Sequence, residues 1–152
     1  MHQPLSVTST ITIQASPDRV WNALTNPEMT RKYMFGCEAL SDWRPGSPLI
    51  WKGHFNGVEM VAVKGTVVTI EPGRFLAYTT IDPNNPAIPD LPANYLTVTY
   101  DLTPQGDQTL LTVSQGDYST VADGDQRYQE TIAGGGWTPI LVQIKELLET
   151  PV

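Results

Sequence analysis

Two histidines, one cysteine and sixteen carboxylates are what this 152-residue chain offers to acid–base, nucleophilic or metal chemistry. A nucleophilic serine or cysteine needs a histidine within hydrogen-bond reach. His2 stands at the very start of the sequence, and His54 falls on the outward phase of its strand. The G-x-S-x-G elbow is missing. Cys37 has no basic partner close by in sequence and reads as a structural residue. Metal binding has no support either, because the sequence lacks an H-x-x-x-H pair, a His/Cys cluster and a calcium-loop pattern. The run Ala133 to Trp137, "AGGGW", lacks the preceding strand and the G-x-G-x-x-G spacing of a nucleotide site. Burial would raise the pKa of a carboxyl group and fit it for acid–base work. Asp42, Glu59, Glu71 and Asp117, however, lie at strand ends or turns. The stretch "DWRPG" reads as a turn closed by a surface ion pair between Asp42 and Arg44, and Lys64 is placed on a solvent face. We assign no catalytic residue, no metal site and no cofactor, which leaves an enzymatic role open but without a visible constellation.

A different set has more to offer. Trp51, Phe55, Met60, Tyr78, Tyr100 and Trp137, joined by Gln115, combine large apolar surfaces with a few polar tips. Any one of them could be ordinary core. As a group they suit a small-molecule pocket, in which apolar walls carry a few polar groups that fix orientation. A buried phenol or amide needs a hydrogen-bond partner, and a ligand can be that partner. Leu141 and Ile144, on the inner face of the terminal helix, complete the expected lining.

These residues need elements to position them. "LSVTSTITIQA" alternates, with Val7, Ile11 and Ile13 on one side, and reads as a half-buried strand. In "SPDRVWNALTN", Ser16 can cap a helix, Pro17 takes its first position and Asp18 complements its dipole. Val20, Trp21 and Leu24 give that helix an apolar side, with Trp21 and Leu24 expected beneath it in the core. Asn26-Pro27 ends it, and a second short helical turn follows. "SPLIWKGHFNG" places Leu49, Trp51 and Phe55 on one face, and Asn56-Gly57 is a strong hairpin signal. "VEMVAVKGTVVTIE" returns, Pro72-Gly73 turns into "RFLAYTTI", and the proline-rich segment 82–94 can hold no regular ladder. "NYLTVTYDLTP" and "QTLLTVSQGDY" form one more hairpin across Gln105-Gly106-Asp107.

The last element poses a question. From Trp137 onward, Ile140, Leu141, Ile144, Leu147 and Leu148 recur at helical spacing, yet Gly134, Gly135, Gly136 and Pro139 crowd the helix start. Interior glycine costs a helix about 1 kcal/mol and interior proline about 3. Two arrangements answer this. Either a helix is bent or interrupted where its backbone passes close to strands, or a plain loop precedes a helix that begins at Thr138-Pro139.

The bulk properties agree with one α+β domain spanning residues 1–152. The balance of 9 basic and 16 acidic residues, net −7, argues against nucleic acid or an anionic membrane as partner. A single cysteine excludes an internal disulfide. No signal-peptide pattern and no apolar run near 18 residues is present, so a cytoplasmic location is expected.

Five segments, "ITIQASPDRVWNALTNPE", "DWRPG", "IEPGRFLAYTT", "TLLTVSQGDY" and "GGGWTPILVQIKELLE", resemble in order and spacing the helix-grip proteins of the SRPBCC, or START-like, superfamily. The branch they resemble is that of the activator of heat-shock-protein-ninety ATPase homologues. The resemblance runs from about Ile11 to Leu148. It implies a curved antiparallel sheet of about seven strands around a long C-terminal helix, with two short helices after the first strand. A deep apolar cavity would lie between sheet and helix. Gln115 stands where family members often carry a histidine, and the 82–94 loop is longer and richer in proline than is usual there. The expected function is binding of a small apolar or aromatic ligand. The alternatives are a polyketide-cyclase-like enzyme and a regulatory module with a chaperone or other protein partner, as monomer or homodimer.

Overall fold

A computed structural model describes residues 5–149. The chain runs through β1 (Val7–Ile13), α1 (Pro17–Thr25), α2 (Pro27–Thr30), β2 (Glu38–Ser41), β3 (Pro48–Phe55) and β4 (Val58–Glu71). It continues through β5 (Phe75–Thr80), β6 (Leu96–Gln105), β7 (Gln108–Gly116), α3 (Gly124–Ala133) and α4 (Thr138–Glu149). All seven strands form one antiparallel sheet in the order β1-β7-β6-β5-β4-β3-β2. Strands β2 to β7 are thus a continuous meander, and β1 closes on β7 with Val7 opposite Gln115 and Ile13 opposite Thr109. This is the α+β helix-grip architecture expected from the sequence.

Side-chain alternation fixes which face is inside. In β6, Leu96, Val98, Tyr100 and Leu102 are buried, while Thr97, Asp101 and Thr103 are exposed. The β3–β4 hairpin turns on Asn56 (φ 54°) and Gly57 (φ 78°), two left-handed residues in a row, which match the twist of the strands they join. Alternation breaks in β4. Trp51 pairs with Val63 but Lys52 pairs with Val61, so Ala62 has no partner across the ladder and forms a bulge.

The first helix is capped by Ser16, whose Oγ accepts from the Arg19 amide at 3.3 Å. Its buried residues are Val20, Ala23 and Leu24. Trp21 is only partly buried, packed against the margin of the core. The expectation of a buried Trp21 is corrected, because the inward stripe passes through Ala23 and leaves Trp21 one step round the helix. The turn of "DWRPG" forms, with Arg44 N donating to Ser47 Oγ. Among the described residues no ion pair joins Asp42 to Arg44. The proline-rich loop contains a 3-10 turn at Pro92–Asn94. It is pinned to β4 by Lys64 Nζ, which donates to Asp90 at 2.5 Å, and by the Asn84 side-chain amide, which donates to the Val61 carbonyl at 2.8 Å.

The glycines resolve as an interruption. α3 ends at Ala133, and the amides of Gly136 and Gly135 donate back to the carbonyls of Thr131 (2.8 Å) and Ile132 (3.1 Å). That is a Schellman closure, which needs a left-handed residue, and Gly135 has φ +90°. α4 then starts afresh at Thr138, with Pro139 in its first turn, where no intrahelical amide bond is lost. α3, Gly124–Ala133, is a helix that apolar periodicity does not announce. Past the interruption, Leu141, Ile144 and Leu148 of α4 enter the same core as Ile13, Leu76, Leu102 and Leu111.

Candidate functional site

Four inward aromatic rings form a file across the sheet. Trp51 on β3 lies 6.2 Å from Tyr78 on β5, Tyr78 lies 5.5 Å from Tyr100 on β6, and Tyr100 lies 5.9 Å from Trp137 in the turn before α4. The last two contacts are edge-to-face, the arrangement that ring quadrupoles favour. The polar tips are paired in the same direction. The Tyr78 and Tyr100 hydroxyls are 2.6 Å apart, and Trp137 Nε1 donates to Gln115 Oε1 at 3.0 Å.

Beside this file lies a cavity of about 320 Å³. Trp51, Phe55, Tyr78, Gln115 and Trp137, all expected as lining, do line it. The other expected residues do not. Tyr100 stands behind the wall, fully buried between Tyr78 and Trp137. Leu141 and Ile144 are core residues of α4, whose closest packing is on β1, and only Trp137 at its entrance reaches the cavity. Met60 is replaced in the wall by Ala62 and Val63. The bulge at Ala62 lets two consecutive residues face the space, where strict alternation would allow one.

Sequence reasoning missed Met34, Phe35 and Cys37, which close the cavity from the segment between α2 and β2. Thr80 and Val98 complete the lining. The signal for that segment was weak but present: "YMFGC" is apolar without helix or strand periodicity. Phe35, with φ 54° and 75% exposed, combines an unfavourable backbone with an exposed apolar ring at the cavity's edge.

Among the described residues no charged side chain belongs to this lining. Burial pushes the Tyr78 phenol well above its ordinary pKa, outweighing the hydrogen bond from Tyr100 that pulls it down. Tyr100 and Tyr33 are raised first by burial as well, and Cys37 is raised by burial alone. Both titratable lining groups, the Tyr78 phenol and the Cys37 thiol, are therefore neutral at neutral pH. Among the described residues no cluster of His, Cys, Asp or Glu is placed to hold a metal ion. His54 is exposed on β3, away from this wall.

The family model described as activator of Hsp90 ATPase homolog 1-like protein matches residues 14–149. The chain belongs to this family. Its fold is similar to the solution structure of a Cytophaga hutchinsonii protein, at 32% identity and TM-score 0.75, over 98% of this chain and 97% of that one. It is also similar in fold to the Aha1 dimer from Colwellia psychrerythraea, at 18% identity and TM-score 0.68, over 95% and 96% of the two chains. A third similar fold is a Nitrosomonas europaea protein, at 19% identity and TM-score 0.73, over 98% and 97%. Among curated proteins none matches the chain. Among the described residues no helix is long and apolar enough to cross a membrane.

Proposed function

We propose that this family member binds a small, uncharged apolar or aromatic molecule in the cavity beside the aromatic file, acting as a single START-like domain in the cytoplasm. The observation that carries the reading is a space of about 320 Å³ walled by Trp51, Phe55, Val63, Val98 and Trp137 without a formal charge. That size and chemistry suit a compact ligand held by apolar burial, with few polar groups to orient it. The contact residues in this reading are Trp51, Phe55, Tyr78, Gln115 and Trp137, with Tyr100 supporting two of them from behind.

A cyclase-like reaction would call for a group that exchanges protons near neutral pH. Burial moves both titratable lining groups away from that range. This favours binding over chemistry. The test is titration with N-phenylnaphthylamine, a neutral probe that fluoresces in apolar surroundings, together with mass spectrometry of small molecules extracted from the purified protein. Saturable binding at one site per chain is the expected result. Absence of any saturable binding, with no co-purifying molecule, overturns the reading.

A further inference from the structure

We infer that the cavity selects molecules carrying an oxygen acceptor, such as an aryl ketone, over the equivalent hydrocarbon, because the protein leaves its polar groups there as donors. This inference rests on the binding reading above and gives it a ligand class.

The argument is a count of protons. The Tyr78 and Tyr100 hydroxyls share one hydrogen bond of 2.6 Å, and among the described residues neither has a second partner. Two hydroxyls have two protons, so one proton is left over. If Tyr78 donated, the spare proton would belong to Tyr100, sealed inside the core with no acceptor among the described residues. Such an orphan costs about 1–3 kcal/mol. Tyr100 therefore donates, and the spare proton is on Tyr78, the member of the pair that lines the cavity. Burial holds both phenols protonated, so the oxygen of Tyr78 does not become an anionic acceptor.

Gln115 leads to the same place. An indole N–H can only donate, so its 3.0 Å contact fixes the Gln115 oxygen towards Trp137. The amide NH₂ is what remains; among the described residues it has no partner, and Gln115 stands between this cavity and a second depression bordered by Arg127 and Glu130. Thr80 adds a hydroxyl that can donate or accept, and Cys37 a weak S–H donor. The Gln115 oxygen thus already has a donor, while among the described residues the Tyr78 hydroxyl proton and the Gln115 NH₂ have no acceptor. With no cation among the described lining residues, a carboxylate ligand would enter without a counter-charge, which burial penalises heavily. A neutral carbonyl oxygen satisfies the donors without that penalty.

The experiment compares fluorenone with fluorene, planar molecules of nearly the same shape that differ by one carbonyl. Equilibrium dialysis measures both against wild type and the double variant Y78F/Y100F. Removing both hydroxyls leaves no orphan behind, and a cooperative melt checks the fold. The ratio of fluorenone to fluorene affinity should fall roughly three- to tenfold in the variant, the range of one net hydrogen bond. An unchanged ratio overturns the acceptor inference and leaves apolar binding standing. Failure of both molecules to bind wild type overturns the binding reading itself. The infrared carbonyl stretch of fluorenone gives a second measurement that needs no variant. It should move to lower frequency on wild-type protein than in a hydrocarbon solvent, and a stretch at the hydrocarbon position overturns the inference.

Discussion

Trp137 and Gln115 meet across the mouth of α4, where the indole Nε1 donates to the amide oxygen at 3.0 Å. The bond ties the turn that leads into the terminal helix to the end of β7. It also fixes two walls of the cavity relative to each other, since both side chains line it. Val7 pairs with Gln115 on the neighbouring strand, so β1, β7 and α4 are linked at one point.

The first prediction uses that point. Gln115→Trp puts a bulky ring into the cavity from a partly exposed position at the strand end, where the backbone needs no change. It should abolish saturable N-phenylnaphthylamine binding while the protein still melts cooperatively. Unchanged probe affinity would place the binding site elsewhere.

A second prediction concerns alkaline pH. Tyr33, Tyr78 and Tyr100 are pushed up chiefly by burial, and Tyr33 is tied by a 2.6 Å bond to the Ala23 carbonyl. In the unfolded chain these phenols ionise near pH 10. The folded chain therefore binds more protons above that pH, and stability falls as pH rises. Each tyrosine contributes a slope of about 1.4 kcal/mol per pH unit, so the three give about 4. The loss begins near pH 10 and continues until the folded pKa values are reached. Ultraviolet titration should show these three of the six tyrosines ionising together with unfolding. Gradual ionisation of all six in a folded protein would contradict their burial.

Much of the sheet was legible because two signals coincide. Period-2 alternation marks β1, β3, β6 and β7, and Asn56-Gly57 or Gln105-Gly106-Asp107 marks where they turn. The stripe of α4 is equally plain. α3 was not legible, because its exposed Ile132 and its Tyr128, which packs on Tyr118 outside the main core, leave it little apolar periodicity. The site was half legible for a related reason. Alternation locates Trp51, Phe55, Tyr78 and Gln115, and the helical stripe that begins at Trp137 locates that residue. Alternation cannot show the bulge at Ala62, nor that Tyr100 stands one layer behind Tyr78. The closing segment with Met34, Phe35 and Cys37 has no periodicity to read, since only tertiary contacts give it a place.

The third prediction contrasts two neighbours on α1. Leu24 is 2% exposed within the core, whereas Trp21 lies at its edge. Leu24→Ala should cost about 2–5 kcal/mol, the usual range for a buried leucine. Trp21→Ala should cost about 1–2 kcal/mol, below the 3–5 typical of a buried aromatic. Urea melts of the two variants decide it. A larger loss at Trp21 would mean that the helix is rotated by about one residue.

The last prediction returns to the three glycines, which are not equivalent. Gly134 has φ −84° and a Cβ there would meet only carbonyl oxygens at 3.5 Å or beyond. Gly134→Ala should be neutral or stabilise by about 0.4–1 kcal/mol, because alanine restricts the unfolded chain. Gly136 has φ +60°, and a Cβ would stand 2.8 Å from Cγ1 of Val7, a buried residue of β1. Gly136→Ala therefore combines left-handed strain of about 1–2 kcal/mol with a steric contact against the strand that carries α4. A double-mutant cycle with Val7→Ala separates the two, because shortening Val7 relieves the contact and leaves the backbone strain. Gly136→Ala should destabilise less in the Val7→Ala background than in wild type. Equal losses in both backgrounds would attribute the whole effect to φ. A harmless Gly136→Ala would mean that the helix does not approach β1 this closely.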